Sequence, residues 1–321
     1  MIDALPLRVL AVVGPTATGK TALAEALASA LGAELICADS RQVFRELEIG
    51  TGKPTAEARA ARPHHLFDAL SLTQRPTAGW YARAAAAARD EIRARGKTPL
   101  FVGGSGLYLR AAQQGLAAAP PEDRMVRGRL REELTALGPE ALHSRLAEVD
   151  PVAARRIAPR DRQRIVRALE VEEVSGRPLS WWLAREHAAP SAGRWLLLMP
   201  ELPSAEQDAR IAARTRWMFS HGLLEETRAL VEAGHREALR ALRAVGYDEA
   251  LDLLECTIDR ATAEQRIDRR TRQLAKRQRT WFRHQAKTQT LDARLPGDRL
   301  LAQALALLHQ GAGPGRSGSP D

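Results

Sequence analysis

Eight residues near the amino end, GPTATGKT at positions 14–21, have the GxxxxGKT spacing of a phosphate-binding loop. Gly14 and Gly19 let backbone amides turn inward around an anion, the Lys20 ammonium reaches terminal phosphates, and the Thr21 hydroxyl is a Mg²⁺ ligand. Pro15, Thr16, Ala17 and Thr18 complete the cradle. The loop does not say which phosphate it holds: a nucleotide is the usual occupant, but any diphosphate presents the same oxygens. A second chemical group follows at Asp39 and Ser40. Asp39 is open to three roles: indirect Mg²⁺ ligand, general base, or cap for the next turn. A third lies at Gly103, Gly104 and Ser105, either a tight turn or a substrate contact.

An α/β fold must position them. Val9, Leu10, Ala11, Val12 and Val13 read as a strand breaking into the loop, and the helix starting near Lys20 and closed by Gly32 points the positive end of its dipole at the anion. Residues 34–38 read as a second strand that delivers Asp39 at its carboxyl end, the rim that faces the ligand crevice in a doubly wound sheet. Residues 39–54, with Gly50, Gly52 and Pro54, form a loop suited to holding substrate. An Ala-rich helix at 82–96 precedes a strand at 99–102, and 194–199 reads as a return strand. Tyr108, at helical spacing after Ser105, reads as packing. From Pro120 and Pro121 the composition shifts to short helices dense in arginine. Arg160, Arg164 and Arg167 line one stripe there, with Ile165 and Leu169 on another. The expected division is a core of 1–116 and 194–310, an all-helical insertion at 117–193, and a disordered tail at 311–321.

At 321 residues and 45% hydrophobic content the chain can bury a proper core, yet no apolar run approaches the roughly 18 residues of a membrane span. The amino end lacks the features of a leader, which makes a cytoplasmic location the expectation. Cys37 and Cys256 support neither a disulfide framework nor a zinc site. A net charge of +9 points to a polyanionic partner, and nine Lys or Arg against one acid cluster at 266–287. The helix from Glu264 onward is expected to turn Ile267, Thr271, Leu274, Gln278 and Trp281 inward and its arginines outward, as a duplex-backbone contact needs.

Taken together, the motifs resemble the transfer RNA dimethylallyltransferases of the isopentenyl transferase family. GPTATGKT, DSRQVF (39–44) with IGTGKP (49–54), HHLFD (64–68) and FVGGSGLYLRA (101–111) carry the resemblance. Residues 150–171, RTRWMFSHGLLEE (214–226), AVGYDEAL (244–251) and TRQLAKRQRTWFR (271–283) extend it in order. It implies a P-loop NTPase-like parallel sheet and transfer of a dimethylallyl group to the exocyclic amine of the adenosine 3′-adjacent to the anticodon. The loop then holds dimethylallyl diphosphate with Mg²⁺ on Thr21, no nucleotide is required, and Arg214, with Arg210 second, reaches the diphosphate. Asp39 accepts the amine proton, a step worth roughly 10²–10⁴ in rate. Asp39, Ser40, Arg41, Gln42 and Ser105 lie on the tRNA side, and Gln163, Arg164, Ile165, Val166 and Arg167, with Arg127, grip the anticodon arm. The adenosine would be extruded into a channel between core and insertion. The partners implied are tRNA and dimethylallyl diphosphate, with no membrane, and a monomer is expected.

Phe44, Gly52 and the pair Asp248, Glu249 depart from the family pattern, where tyrosine, alanine and a basic residue are common; none falls on a residue assigned to chemistry. The competing enzyme class is a P-loop small-molecule kinase or NTPase. It needs an acidic strand end, yet the strand at 99–102 leads to Gly103 and Gly104, and only Asp39 could serve.

Overall fold

The computed structural model describes residues 8–115, 119–185 and 194–310. The chain divides into two compact units, Met1–Gln113 with Ala192–Asp321, and Gln114–Ser191, boundaries two or three residues from those expected. The tail at 311–321 lies outside the described residues.

Among the described residues the first unit holds one six-stranded sheet. Its strands are β1 (Arg8–Val13), β2 (Ala33–Cys37), β3 (His64–His65), β4 (Thr98–Gly103), β5 (Arg194–Glu201) and β6 (Thr288–Asp292), ordered β3-β2-β4-β1-β5-β6. Every neighbouring pair is parallel. Parallel strands are joined by helical crossovers that cover both faces, so inner strands read as unbroken apolar runs. Val9 to Val13 and the whole of β2 are accordingly buried. The register sets Val13 opposite Gly103, and Cys37 opposite Val102. Gly14, Ala38 and Gly104 therefore leave the sheet on one rim.

Neither β3 nor β6 has such a run. β3 is only two residues long, and β6, an edge strand of sequence TQTLD, exposes Gln289 and Thr290 and buries only Leu291 fully.

Helix Lys20–Leu31 turns Leu23, Ala24, Leu27 and Ala28 onto the sheet. Helix Ala78–Ala94 starts four residues before the Ala-rich run suggested, because the Thr77 side chain caps it by accepting from the Trp80 amide. It buries Tyr81, Ala85, Ala88 and Ile92. Tyr81 stacks on Tyr108 at 4.0 Å between ring centroids.

The second unit has its own core, in which Leu130, Leu142, Leu146, Ile165 and Leu169 are nearly or wholly buried. Truncating any one of these to alanine is expected to cost about 2–5 kcal/mol. Its helices are Arg124–Leu137, Pro139–Val149, Pro151–Arg156, Arg162–Ser175 and Leu179–Ala184. Buried Asp150 caps one and ties another, accepting from the Ala153 amide at 2.9 Å and the Ser180 amide at 2.8 Å. Asp161 caps Arg162–Ser175, so Arg160 falls outside that helix and pairs with Glu140 at 2.8 Å. The expected three-arginine stripe is thereby broken.

Candidate active site

The phosphate loop is built as its sequence implies. Gly14 has φ +123°, and a Cβ there would stand 2.8 Å from Met199 Cγ of β5, so only glycine lets the chain turn this close to the sheet. Gly19, also at positive φ, precedes the helix that opens at Lys20. Thr18 is buried and donates its hydroxyl to the Pro15 carbonyl at 3.0 Å, which makes it a brace of the loop. Lys20 Nζ donates to the same carbonyl at 2.6 Å. Burial pulls the Lys20 ammonium down to about 8, with Asp39 opposing the shift and Arg214 adding to it.

The backbone of Thr16 is held at both its N–H and its carbonyl. Its N–H donates to Gln278 Oε1 at 2.9 Å, and its carbonyl accepts from Gln207 Nε2 at 2.7 Å. Gln207 lies on helix Ser204–Ser220 and Gln278 on helix Arg260–Gln285. The Thr16 amide, expected to face the diphosphate, is thus already engaged by a side chain. Arg214 Nη1 donates to Thr16 Oγ1 at 3.3 Å and Nη2 to the Thr51 carbonyl at 2.9 Å, joining the cradle to the loop at 39–54. Burial lowers the Arg214 guanidinium from its ordinary value, an effect Asp39 partly offsets. Arg210 is exposed and makes a long contact of 3.4 Å with the Ala293 carbonyl.

Asp39 emerges from β2 beside the cradle. Its Oδ1 accepts from the Arg41 amide at 2.8 Å, so it caps the turn and faces the site at once. The Ser40 amide donates to Ser105 Oγ, and the Ser105 amide to the Ala38 carbonyl, both at 3.0 Å. Gln42 Nε2 donates to the carbonyls of Thr51 and Gly52, each at 3.1 Å. Arg41 Nη2 reaches the Leu242 carbonyl at 2.8 Å. The loop is fixed further by Glu226, which accepts from the amides of Glu48 at 3.2 Å and Ile49 at 2.9 Å and from the hydroxyl of buried Tyr247. Gly52 bears on this geometry after all: a Cβ there would collide with the Arg214 guanidinium. Phe44 is a core residue, and Asp248 and Glu249 are both paired with Arg270.

These groups surround a cavity of about 970 Å³ within the first unit. Thr16, Ala17, Gly19, Lys20, Thr21, Asp39, Ser40, Arg41, Gln42, Ser105 and Arg214 line it; Gly14, Pro15, Thr18 and Arg210 do not. Its wall also includes Ile211 and Met218 from helix Ser204–Ser220 and Thr271, Leu274 and Gln278 from helix Arg260–Gln285. On that longer helix the expected stripe does turn inward: Ile267 is buried, Trp281 packs partly buried against the core, and Thr271, Leu274 and Gln278 face the cavity, with Ala263, Ala275 and Phe282 also buried. The sequence signal for them was the polar pair Thr271 and Gln278 recurring on an otherwise apolar stripe. Nothing comparable marked Gln207 or Glu226.

The arginines of this helix do not all face outward unpaired. Arg266, Arg270, Arg272 and Arg283 have carboxylate partners, and Arg279 donates to Gln207. Among the described residues Arg269, Lys276, Arg277 and Lys287 are exposed with no acid in ion-pair range.

In the second unit, Ile165 and Val166 are core residues whose side chains cannot reach an RNA, while Gln163 and Arg164 are exposed. Arg127 and Arg167 instead converge on Glu170, whose side chain is fully buried, with Arg167 Nη1 at 2.8 Å. Burial would raise the Glu170 carboxyl, but the two guanidiniums outweigh it and hold it below the usual range.

Comparison with known proteins accords with this architecture. The IPP transferase family matches residues 42–285, and the isopentenyl transferase family residues 7–69. A tRNA dimethylallyltransferase of Salinispora tropica is 44% identical over 95% of this chain and 93% of that protein. Another, from an Anaeromyxobacter species, is 45% identical over 87% and 92%. The crystal structure of a full-length tRNA isopentenylpyrophosphate transferase from Bacillus halodurans matches with a TM-score of 0.69 at 31% identity, covering 95% of this chain and 96% of that one. A eukaryotic dimethylallyltransferase acting on tRNA matches at 0.79 with 24% identity, over 95% and 80%, and speaks to the fold alone. The sheet is that of a P-loop NTPase-like fold. With matches of this extent and a cradle, aspartate and arginine brought to one cavity, the chain belongs to the IPP transferase family.

Proposed function

We propose that the chain transfers the dimethylallyl group of dimethylallyl diphosphate to the exocyclic N6 amine of the adenosine 3′-adjacent to the anticodon of a tRNA, releasing diphosphate. The observation that carries this reading is the meeting of Lys20, Arg214 and Asp39 on one cavity wall system. Two cations flank the place where a leaving diphosphate gathers charge, and a carboxylate stands beside them for the amine proton. The adenine amine is a weak nucleophile, its lone pair delocalised into the ring. The bond from N6 to the allylic carbon forms as the carbon–oxygen bond to diphosphate breaks, and the N6 proton passes to Asp39. Fixed donors aimed at the leaving group act on the step where they matter, each worth about 2.7–4 kcal/mol by analogy with other preorganised sites.

The site suits Mg²⁺. Thr21 and Asp39 offer hydroxyl and carboxylate oxygens on the same cavity, and no cluster of three or more His, Cys, Asp or Glu gathers among the described residues. Mg²⁺ ordinarily takes one or two protein oxygens together with substrate phosphate and water, which is what Thr21, and Asp39 through water, would supply. When bound, the ion draws negative charge from the diphosphate.

The target base must leave its stack to reach Asp39. Ser40, Arg41, Gln42 and Ser105 line the same cavity as that carboxylate and are assigned to the RNA side. Arg269, Lys276, Arg277 and Lys287 offer unpaired charge to the RNA backbone, while Gln163, an exposed amide, and Arg164, exposed though 3.5 Å from Asp161, are assigned to the anticodon arm. One copy of the chain carries every group named, which supports action as a monomer. No described helix is long and apolar enough to cross a membrane, and a tRNA substrate favours the cytoplasm.

The test incubates the protein with Mg²⁺, unmodified tRNA and labelled dimethylallyl diphosphate, with ATP in a parallel arm. Label in the RNA at that adenosine is expected. Phosphoryl transfer or hydrolysis from ATP, with no label in RNA, would replace this reading with a kinase or NTPase.

A further inference from the structure

Three segments have to hold a fixed spacing for the reaction above: the cradle, the Asp39 strand end, and the Gly104 to Ser105 turn. The last two are stitched directly, since Ser40 and Ala38, on either side of Asp39, both bond to Ser105. Beyond the β1–β4 pairing that sets Val13 beside Gly103, the cradle is joined to that turn by a side-chain amide. Gln278 accepts the Thr16 N–H at 2.9 Å through Oε1 and donates to the Gly104 carbonyl at 3.0 Å through Nε2. Its carboxamide is therefore satisfied on both atoms, one in the leaving-group cradle and one next to the segment that positions the base.

The fit is close. A Cβ at Gly104 would collide with Gln278 Nε2 and stand 3.2 Å from the Gly14 carbonyl oxygen, so residue 104 must be glycine for the amide to enter. Helix Arg260–Gln285 that presents Gln278 is anchored by Phe282 and Ala275 on either side of it. Lines of attack tolerate little error, and misplacement by about 1 Å can cost on the order of 10² in rate.

We propose that Gln278 is a positioning residue that sets the distance between the diphosphate cradle and Asp39. It acts through backbone groups and exchanges no proton with substrate. The inference rests on the prenyl-transfer reading. Wild-type label transfer tests that reading, and the ratio of variant to wild type tests Gln278.

In the full-length protein, Gln278→Met keeps the length and removes both hydrogen bonds. Its kcat is expected to fall about 10- to 100-fold, with KM for dimethylallyl diphosphate and for tRNA each within about threefold. Gln278→Glu loses the donor to Gly104 and sets a carboxylate beside the diphosphate cradle, so its kcat is expected to fall at least as far as that of Gln278→Met, and a rate near wild type would count against the proposal. A kcat of Gln278→Met within twofold of wild type, or a loss confined to KM, overturns the proposal. Should Gln278→Met fail to fold, the pair Gly104→Ala and Gln278→Ala decides. Each alone is expected to lower kcat, and the double variant should be no worse than the poorer single, because both abolish the same Gln278–Gly104 contact. Multiplying losses would sink the idea.

Discussion

Arg214 and Arg167 look alike in the sequence, each a helix arginine among other arginines, yet the structure gives them opposite employment. Arg167 is spent on the buried carboxylate of Glu170, with the Pro120 carbonyl at 2.6 Å as its second partner. Arg214 meets only neutral acceptors, the Thr16 hydroxyl and the Thr51 carbonyl, and lines the cavity. A guanidinium neutralised by a carboxylate holds structure together; one held by carbonyls and hydroxyls keeps its charge for an incoming anion.

The sharpest way to break this contrast is to truncate both. Arg214→Ala is expected to lower kcat by on the order of 10²–10³, the loss of one preorganised donor at a developing oxyanion. Arg167→Ala should leave kcat at saturating substrates within about threefold but destabilise the helical unit by about 2 kcal/mol, less than a lone buried charge because Arg127 remains on Glu170. Steady-state kinetics and denaturant unfolding read the two. An Arg214→Ala loss below about threefold would erase the distinction.

A smaller effect should follow from moving Arg214 without removing it. Gly52→Ala puts a methyl group where the guanidinium lies, and an approximately tenfold fall in kcat is expected from the displaced donor. If kcat/KM for dimethylallyl diphosphate is unchanged, the arginine tip does not serve the anion where the structure seats it.

Lys20 extends the contrast to pH. Its ammonium, lowered to about 8 chiefly by burial, is charged below that value and neutral above it. The kcat/KM for dimethylallyl diphosphate reports the free enzyme, so it should be level below about pH 8 and fall about tenfold per unit above it. Lys20→Arg, whose charge does not titrate in this range, should be slower throughout and lack that alkaline limb. A limb of equal midpoint in the variant would assign it to another group.

The smallest effect is expected on the basic helix. Arg277, exposed and without an acid partner, should weaken tRNA binding when changed to alanine and reduce the salt slope by about 1. Arg283, whose guanidinium lies 3.1 Å from Glu201, should change it by less than about twofold. Titrations of tRNA at several salt concentrations separate them, and equal effects would show that pairing does not sort these side chains.

β1, β2, β4 and β5 were legible in the sequence because strands buried on both faces must be apolar throughout, and the phosphate loop because its glycines and lysine leave little choice of conformation. Asp39 was legible once the strand before it was placed, since a parallel sheet sends every carboxyl end to one rim. β6 was not, because an edge strand can be polar. The partner of Arg214 was not, because Thr51 lies far along the chain, whereas Glu170 stands at helical ion-pair spacing from Arg167 and only its burial was hidden. Ile165 and Val166 share a motif with exposed Gln163 and Arg164, but their burial follows from lying on the helix face turned to the unit's own core. Gln278 and Gln207 were invisible as clamps, for an amide's two hydrogen bonds leave no periodic trace.

The missing side chain at Gly52 also constrains how this enzyme can change over generations. Because its empty volume holds the tip of Arg214, positions 52 and 214 form a linked pair, and a lineage acquiring alanine at 52 must reseat its arginine in the same step or pass through a slower ancestor.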